Sequence, residues 1–144
     1  MSGIDLSNFI ASFFDEARER LSSINQALVE FETGSLSEEG LVDLRRDAHT
    51  IKGSALMLGV NDVGGIAHVF EDTVEMLIKH KDWRSPDAVQ FLYDLHDLLD
   101  HRLEDPEGKE LLDTKAAEAK YDAFLETIAS SKEGQAVDRS FGLN

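Results

Sequence analysis

Apolar residues recur at alternating steps of four and three along residues 10–31 of this chain. The positions in this series are Ile10, Phe14, Ala17, Leu21, Ile24, Leu28 and Phe31. Because an α-helix has about 3.6 residues per turn, this spacing places every one of these side chains along one face. Such a stripe is typical of a helix packed in a bundle, so the first segment predicts a helical fold.

Comparable stripes follow in four further segments, and no strand-like alternation of apolar and polar residues stands out between them. Capping residues predict where these helices begin and end, because small polar side chains favour helix starts and glycine favours helix ends. The predicted boundary residues, in chain order, are Asp5 or Ser7, Gly34, Ser37, Gly59, Asn61, and Ser85 before Pro86.

The connections between consecutive helices are short, which favours antiparallel neighbours. The sequence therefore predicts an all-α fold, an antiparallel up-and-down four-helix bundle with an additional C-terminal helix at Thr114–Ala129. Periodicity alone does not decide which helix lies outside the bundle core. The last residues are polar and aperiodic, so we expect a domain at 1–130 and a polar tail or linker at 131–144.

The charge balance excludes several classes of partner. Asp and Glu total 29 against 14 Lys and Arg, which gives a net charge of −15. A surface this acidic repels nucleic acid and anionic membranes. No apolar run approaches the roughly 20 residues of a membrane span, and the first residues do not form a secretory signal. The expected location is therefore the cytoplasm, and the absence of cysteine fits a reducing compartment.

The second predicted helix carries the residues that indicate chemistry. His49 lies about 135° from the centre of the apolar stripe of its helix, so it points outward or along a flank. Lys52 and Gly53 follow one turn later, beside the imidazole. A glycine inside a helix costs roughly 1 kcal/mol against alanine, which suggests that another molecule approaches the backbone there. A nucleophilic imidazole, a nearby cation and a cleared space suit a covalent phosphoryl carrier.

The third predicted helix offers a partner for that imidazole. His68 and Glu71 are three residues apart and lie off the buried stripe. If the second and third helices are antiparallel neighbours, Glu71 can face His49. A carboxylate that accepts the Nδ1–H proton would leave Nε2 free to attack an electrophile.

The stretch Arg-Asp-Ala-His-Thr-Ile-Lys-Gly-Ser-Ala at residues 46–55 resembles the phosphorylation motif of histidine phosphotransfer (HPt) domains. More closely, the chain resembles the N-terminal phosphotransfer domain of CheA-type chemotaxis histidine kinases. Those domains have a first helix similar to residues 13–17 and a His-x-x-Glu pair similar to His68 and Glu71. The resemblance spans residues 9–80. Residues 56–59 are more apolar than the glycine-richer versions in many such kinases, which leaves the identity of the partner open.

The resemblance implies that His49 is phosphorylated and that Glu71 orients it, with Lys52 and His68 in the same polar network. The chain contains no glycine-rich nucleotide-binding motif, so we do not expect it to phosphorylate itself. ATP would be bound by a separate histidine kinase catalytic domain. A response-regulator receiver domain (CheY-like) would take the phosphoryl group on an aspartate, with Mg²⁺ supplied by the regulator.

Two further interpretations of these residues concern a metal and a docking surface. The order His-x-x-Glu, on histidines that point off the core, does not match the inward Glu-x-x-His pairs of di-metal bundles, so no metal site is predicted.

A basic island at Arg45, Arg46 and Lys52 is expected to dock a receiver domain, and charge reversal at either arginine should then slow transfer. Leu56 and Met57 either join this surface or pack under a neighbouring helix.

Two rival functions stay open. One is a free-standing phosphorelay intermediate that receives its phosphoryl group from another regulator, and the other is a helical adaptor without transfer activity. The remaining histidines, His80, His96 and His101, are expected at helix ends or on solvated faces.

Overall fold

A computed structural model describes the backbone of residues 3–143 and the side chains of residues 6–130. The described chain consists of five α-helices, with a single 3-10 turn at Lys81–Trp83 before the fourth. The helices are α1 (Gly3–Glu32), α2 (Glu38–Met57), α3 (Asn61–Lys79), α4 (Pro86–Leu103) and α5 (Thr114–Leu143). Among the described residues, no helix combines the length and the apolar character needed to cross a bilayer.

The first four helices form a closed bundle. Helix α1 packs against α2 and α4, and α3 packs against the same two helices from the opposite corner. Helix α5 lies outside this group along α3, where the side chain of Thr114 covers Gly65, and its Phe124 ring stacks on Phe91 of α4. The predicted all-α bundle with an additional C-terminal helix is therefore confirmed, and α5 is the helix outside the core.

The core is continuous through the bundle because each helix contributes its periodic stripe. The largest fully buried side chains on α1 and α2 are Phe14, Ile24, Leu28, Leu41, Leu44 and Ile51. On α3 and α4 they are Phe70, Ile66, Leu77, Leu92, Leu95 and Leu99. Removing this much apolar surface from water is the main favourable term in the folding of the domain.

Several predicted helix boundaries are confirmed. The Ser37 hydroxyl accepts a hydrogen bond from the backbone of Gly40, and the Ser85 hydroxyl accepts one from Ala88, so both serines cap their helices. Gly34 and Gly59 adopt positive φ values of 80° and 79°, the left-handed conformation that ends a helix at low cost in glycine.

Three predicted boundaries are wrong. Helix α1 begins at Gly3, before Asp5 and Ser7, and Asn61 is the first residue of α3 and not its cap. Helix α5 continues to Leu143 instead of ending at Ala129. Residues 131–143 include helix formers but no amphipathic stripe, so periodicity gave no signal there. The domain boundary at residue 130 stays a prediction.

A buried ion pair that the sequence pattern did not indicate closes one end of the bundle. Arg102 Nε donates to Asp62 Oδ2 over 2.7 Å, and the two side chains are 5% and 10% exposed. The same carboxylate oxygen accepts the Leu112 backbone N–H, so Asp62 joins the start of α3 to the loop before α5. Burial raises the pKa of Asp62, but the hydrogen bonds from Arg102 and Leu112 outweigh it and the net pKa lies below its ordinary value.

Asp62→Ala should therefore destabilise the domain strongly. The substitution leaves the Arg102 guanidinium buried without its carboxylate, which costs about 3–5 kcal/mol of unfolding free energy for pairs of this kind. Urea unfolding at neutral pH, followed by circular dichroism, measures the difference from the native sequence.

The matched control is Asp43→Ala, which removes the exposed partner of Arg46 and should cost about 1 kcal/mol or less. Because the folded pKa of Asp62 is lowered, the pair stabilises the fold above about pH 4 and loses its contribution as pH falls through the folded pKa. Equal losses in the two variants would contradict the role of the Asp62 pair.

Candidate functional site

Helices α2 and α3 meet in an antiparallel register that fixes the site. Arg45 on α2 pairs with Glu75 on α3, and one turn further along α2 His49 pairs with Glu71, one turn back along α3. At the far end of α2 the side chain of Leu56 covers Gly64. The register follows from the buried α2 stripe, because packing its apolar face against α3 brings the polar flanks of both helices together.

One carboxylate lies at the centre of the site. Glu71 Oε2 is 2.5 Å from Nδ1 of His49, and Glu71 Oε1 accepts a hydrogen bond of 2.6 Å from Nζ of Lys52. Both partners come from α2, whereas the carboxylate comes from α3. The predicted contact between Glu71 and His49 is therefore present, and Lys52 belongs to the same hydrogen-bonded group.

The protonation of this group follows from its surroundings. Partial burial raises the pKa of Glu71, but hydrogen bonds from Lys52 and His49 together with their charges outweigh it and leave the pKa below its ordinary value. Glu71 is therefore ionised at neutral pH. Because an ionised carboxylate has no proton to donate, Nδ1 of His49 is the donor in their hydrogen bond. In the neutral imidazole, Nε2 then carries the free lone pair.

The imidazole that carries this free nitrogen is largely exposed. The His49 side chain is 64% exposed although Glu71 beneath it is largely covered. One turn further along α2, a Cβ atom added to Gly53 would meet nothing within 4 Å. The domain itself therefore does not need a glycine at this position for packing, and the space beside His49 is open to an approaching molecule.

His68 pairs with a carboxylate of its own helix. Its Nε2 atom is 3.4 Å from Asp72 Oδ2 on the same helix, and the two side chains are about half exposed. The structure therefore brings Lys52 into the His49–Glu71 group, whereas His68 lies beside that group and faces Asp72.

The predicted docking residues divide into two kinds. Arg45 is paired with Glu75, and Arg46 is paired with Asp43, so the charge of each arginine is balanced locally. Met57 is exposed and belongs to a surface, whereas Leu56 is about half exposed and packs partly on Gly64 of α3. This face is more apolar and less basic than the sequence suggested.

An apolar extension of that face was not predicted from the sequence. Phe9 on α1 is half exposed and borders, with Phe13, Met57 and Leu58, a shallow cavity of about 330 Å³ between α1 and α2. Phe9 widens the apolar stripe of α1, and that extra width was the available signal.

The three other histidines lie away from the site. The expectation that they all occupy helix ends or solvated faces is wrong for His96, which is buried with Nε2 3.3 Å from the Leu21 carbonyl. His80 stacks on Trp83 after the end of α3, and His101 is exposed in the last turn of α4.

The Hpt domain family model matches residues 8–105 of this chain, which is most of its length. The match covers α2 and α3 completely and includes His49, Lys52, Gly53 and Glu71. The chain therefore belongs to the Hpt domain family.

Similar curated proteins carry the name chemotaxis protein CheA. The protein of Halobacterium salinarum is 33% identical over 70 residues, covering 49% of this chain and 10% of the relative. The Bacillus subtilis protein is 25% identical over 140 residues, covering 92% of this chain and 20% of the relative. The Salmonella typhimurium protein is 26% identical over 129 residues, covering 90% and 19% respectively. The chain thus spans a fifth or less of the length of these relatives.

The hydrogen bond between Glu71 and His49 predicts the tautomer of the imidazole. In the native protein at a pH where the ring is neutral, the proton should reside on Nδ1. Glu71→Ala should shift the population toward the Nε2–H form, because the acceptor that selects Nδ1–H is removed. Two-bond ¹H–¹⁵N correlation spectra of the imidazole distinguish the two forms.

Glu75→Ala is the matched control, since it removes a carboxylate one turn away on the same face of α3 and leaves the Glu71 contact intact. A native ring that is protonated on Nε2, or a tautomer ratio that Glu71→Ala leaves unchanged, would contradict the assignment.

Proposed function

We propose that this domain is a phosphoryl carrier in chemotaxis-type two-component signalling, with His49 as the residue that is phosphorylated. The observation that carries the proposal is the largely exposed His49 ring, which is held at Nδ1 by Glu71 and keeps Nε2 free of that contact. The Hpt family match and the CheA relatives support the same assignment.

In the proposed first step, Nε2 of His49 attacks the γ-phosphorus of an ATP molecule held by a separate histidine kinase catalytic domain. The N–P bond forms as the bond between the γ-phosphorus and the β-phosphate oxygen breaks, and ADP leaves. The ring gains positive character in this step, and the Glu71 carboxylate at Nδ1 stabilises that charge. Because phosphoryl transfer depends mainly on positioning and charge stabilisation, a rigid imidazole is sufficient.

In the second step, an aspartate carboxylate of a receiver domain attacks the same phosphorus and the N–P bond breaks. The electron pair of that bond returns to Nε2, which restores the neutral ring with its proton still on Nδ1. In this scheme the Mg²⁺ ion belongs to the receiver domain and ATP belongs to the kinase domain, so the carrier supplies no cofactor of its own. Both partners imply a cytoplasmic location.

In this proposal the main role of Lys52 is its contact with Glu71. Its ammonium donates to Oε1 while His49 uses Oε2, so the lysine keeps the carboxylate ionised and fixes its orientation. A role in screening the phosphoryl group, which the sequence suggested for Lys52, would require the ammonium to share or leave this contact. His68 lies beside the group and is assigned no step in the transfer.

The proposed docking surface for the kinase and receiver domains comprises Arg45, Arg46, Leu56 and Met57, with Phe9 at its edge. Interfaces of this kind gain most of their affinity from a few apolar or aromatic side chains near the centre. Met57, at 85% exposure, has the most uncovered apolar side chain of the surface. The two paired arginines would contribute mainly to orientation and association rate.

The two rival functions fit the observations less well. A free-standing relay intermediate would use the same His49 chemistry but receive its phosphoryl group from a regulator aspartate, and the CheA relatives favour the kinase as donor. A non-catalytic adaptor would have no use for an exposed imidazole held in one tautomer.

The test of the carrier function is incubation with a histidine kinase catalytic domain and γ-labelled ATP, comparing the native sequence with His49→Gln. The native domain should acquire label that is stable in base and labile in acid, and the variant should acquire none. Subsequent addition of a receiver domain should remove the label. Equal labelling of both proteins would overturn the proposal.

Two substitutions of Gly53 test its role separately, one through the stability of the domain and one through the rate of phosphoryl transfer. Gly53→Ala places a methyl group in open space, so it should raise the free energy of unfolding by about 1 kcal/mol through helix propensity. Gly53→Leu should slow phosphorylation by roughly tenfold or more, because the side chain fills the approach to His49. Urea unfolding and initial labelling rates provide the two measurements. Unchanged labelling of the leucine variant would show that the gap has no role in access.

Met57→Ser should raise the KM for a receiver domain by about 5- to 30-fold, equivalent to about 1–2 kcal/mol of lost binding, without changing the stability of the bundle. The matched control is Leu111→Ser, since Leu111 is also exposed, at 66%, but lies in the loop before α5. Transfer rates measured against receiver concentration give KM for both variants. If they behave alike, Met57 is not a docking residue.

A further inference from the structure

Three potential metal ligands lie close together on α3, and one of them is Glu71, the partner of His49. Donor atoms of His68, Glu71 and Asp72 on α3 all lie within 4.8 Å of one another. We call these three residues the α3 triad. They occupy positions i, i+3 and i+4, which places them on one face of the helix. This triad differs from the inward di-metal sites considered from the sequence, because His68 is exposed, Glu71 and Asp72 are only partly buried, and all three residues come from a single helix.

The distance between His68 and Asp72 in the α3 triad suits two ligands of a small divalent ion better than it suits a strong hydrogen bond. His68 Nε2 and Asp72 Oδ2 are 3.4 Å apart, which is long for a hydrogen bond between an imidazole and a carboxylate. Zinc binds nitrogen and oxygen at about 2.0–2.2 Å, and two ligands of a tetrahedral ion at those distances are separated by roughly 3.4 Å. A modest movement of Glu71 would complete a three-ligand set.

The chemistry of the ligands indicates the class of ion. One imidazole with two carboxylates suits zinc and similar borderline metals, whereas magnesium and calcium prefer oxygen ligands throughout. His68 is more than half exposed, so the site is open to solvent and can accept an ion directly. The acidic surface of the domain, with its net charge of −15, raises the local concentration of cations.

We propose that the α3 triad binds Zn²⁺ or a chemically similar divalent ion, and that the bound ion opposes phosphorylation of His49. Glu71 is the link, because the carboxylate that would coordinate the ion is the one that accepts hydrogen bonds from His49 and Lys52. An ion on Glu71 would neutralise the carboxylate that accepts the Nδ1–H hydrogen bond of His49, and it would repel the Lys52 ammonium. The inhibitory part of this inference rests on the proposed function, whereas the binding part does not.

The binding test is calorimetric titration of the native domain with zinc chloride. One equivalent should bind, and His68→Ala and Asp72→Asn should each weaken the affinity by roughly tenfold or more, equivalent to about 1.4 kcal/mol. His101→Ala is the matched control, because His101 is also an exposed histidine of a helix with a carboxylate, Glu110, 3.8 Å away. Its removal should leave the affinity unchanged. Absence of saturable binding, or an equal loss in the control, would overturn the site.

The functional test compares zinc inhibition of labelling in the native domain and in Asp72→Asn. Zinc can also act on the kinase domain and on ATP, but those effects are identical for both substrates, so their difference isolates the α3 triad. The native domain should lose labelling at zinc concentrations that the variant tolerates. Identical inhibition curves would refute the link to His49 and leave the calorimetric result standing. A failure of the carrier function itself would appear separately, as absence of labelling without zinc.

Discussion

The site depends on one shared carboxylate. Glu71 on α3 accepts a hydrogen bond from each of two α2 side chains, His49 and Lys52, so a single acidic residue fixes the tautomer of an imidazole and the position of an ammonium. Charge-assisted hydrogen bonds of this kind are roughly twice as strong as neutral ones, and they are directional. Because the acid is largely covered while the imidazole is exposed, the hydrogen-bonded side of the ring faces the protein and the rest of the ring faces solvent.

The bundle keeps that carboxylate in place. The buried stripes of α2 and α3 set the register that aligns Glu71 with His49, and Glu75 repeats the same register with Arg45 one turn away. At the start of α3, the buried Asp62 ties the helix to α4 and to the loop before α5. The proposed carrier role requires this rigidity, because the contribution of the domain to transfer is the position of one nitrogen.

Much of this arrangement could be predicted from the sequence, because the signals are local. The apolar stripes defined the helices, and the serine caps and positive-φ glycines defined most of their ends. The contact of Glu71 with His49 required only that α2 and α3 be antiparallel neighbours. Features that depend on three-dimensional packing could not be predicted. His96 and Arg102 are buried although they lie outside the apolar stripe of α4. The extension of α5 beyond Ala129 was missed because a helix without an amphipathic face leaves no periodic signal.

The most direct test of the central claim is to determine which nitrogen of His49 carries the phosphoryl group. Two-dimensional ¹H–¹⁵N and ³¹P spectra of the phosphorylated domain, labelled with ¹⁵N in its histidines, resolve the two isomers through their one-bond N–P coupling. The hydrogen bond from Nδ1 to Glu71 predicts phosphorylation on Nε2, with Nδ1 still protonated. A phosphoryl group on Nδ1 would require that bond to be broken and would contradict the account.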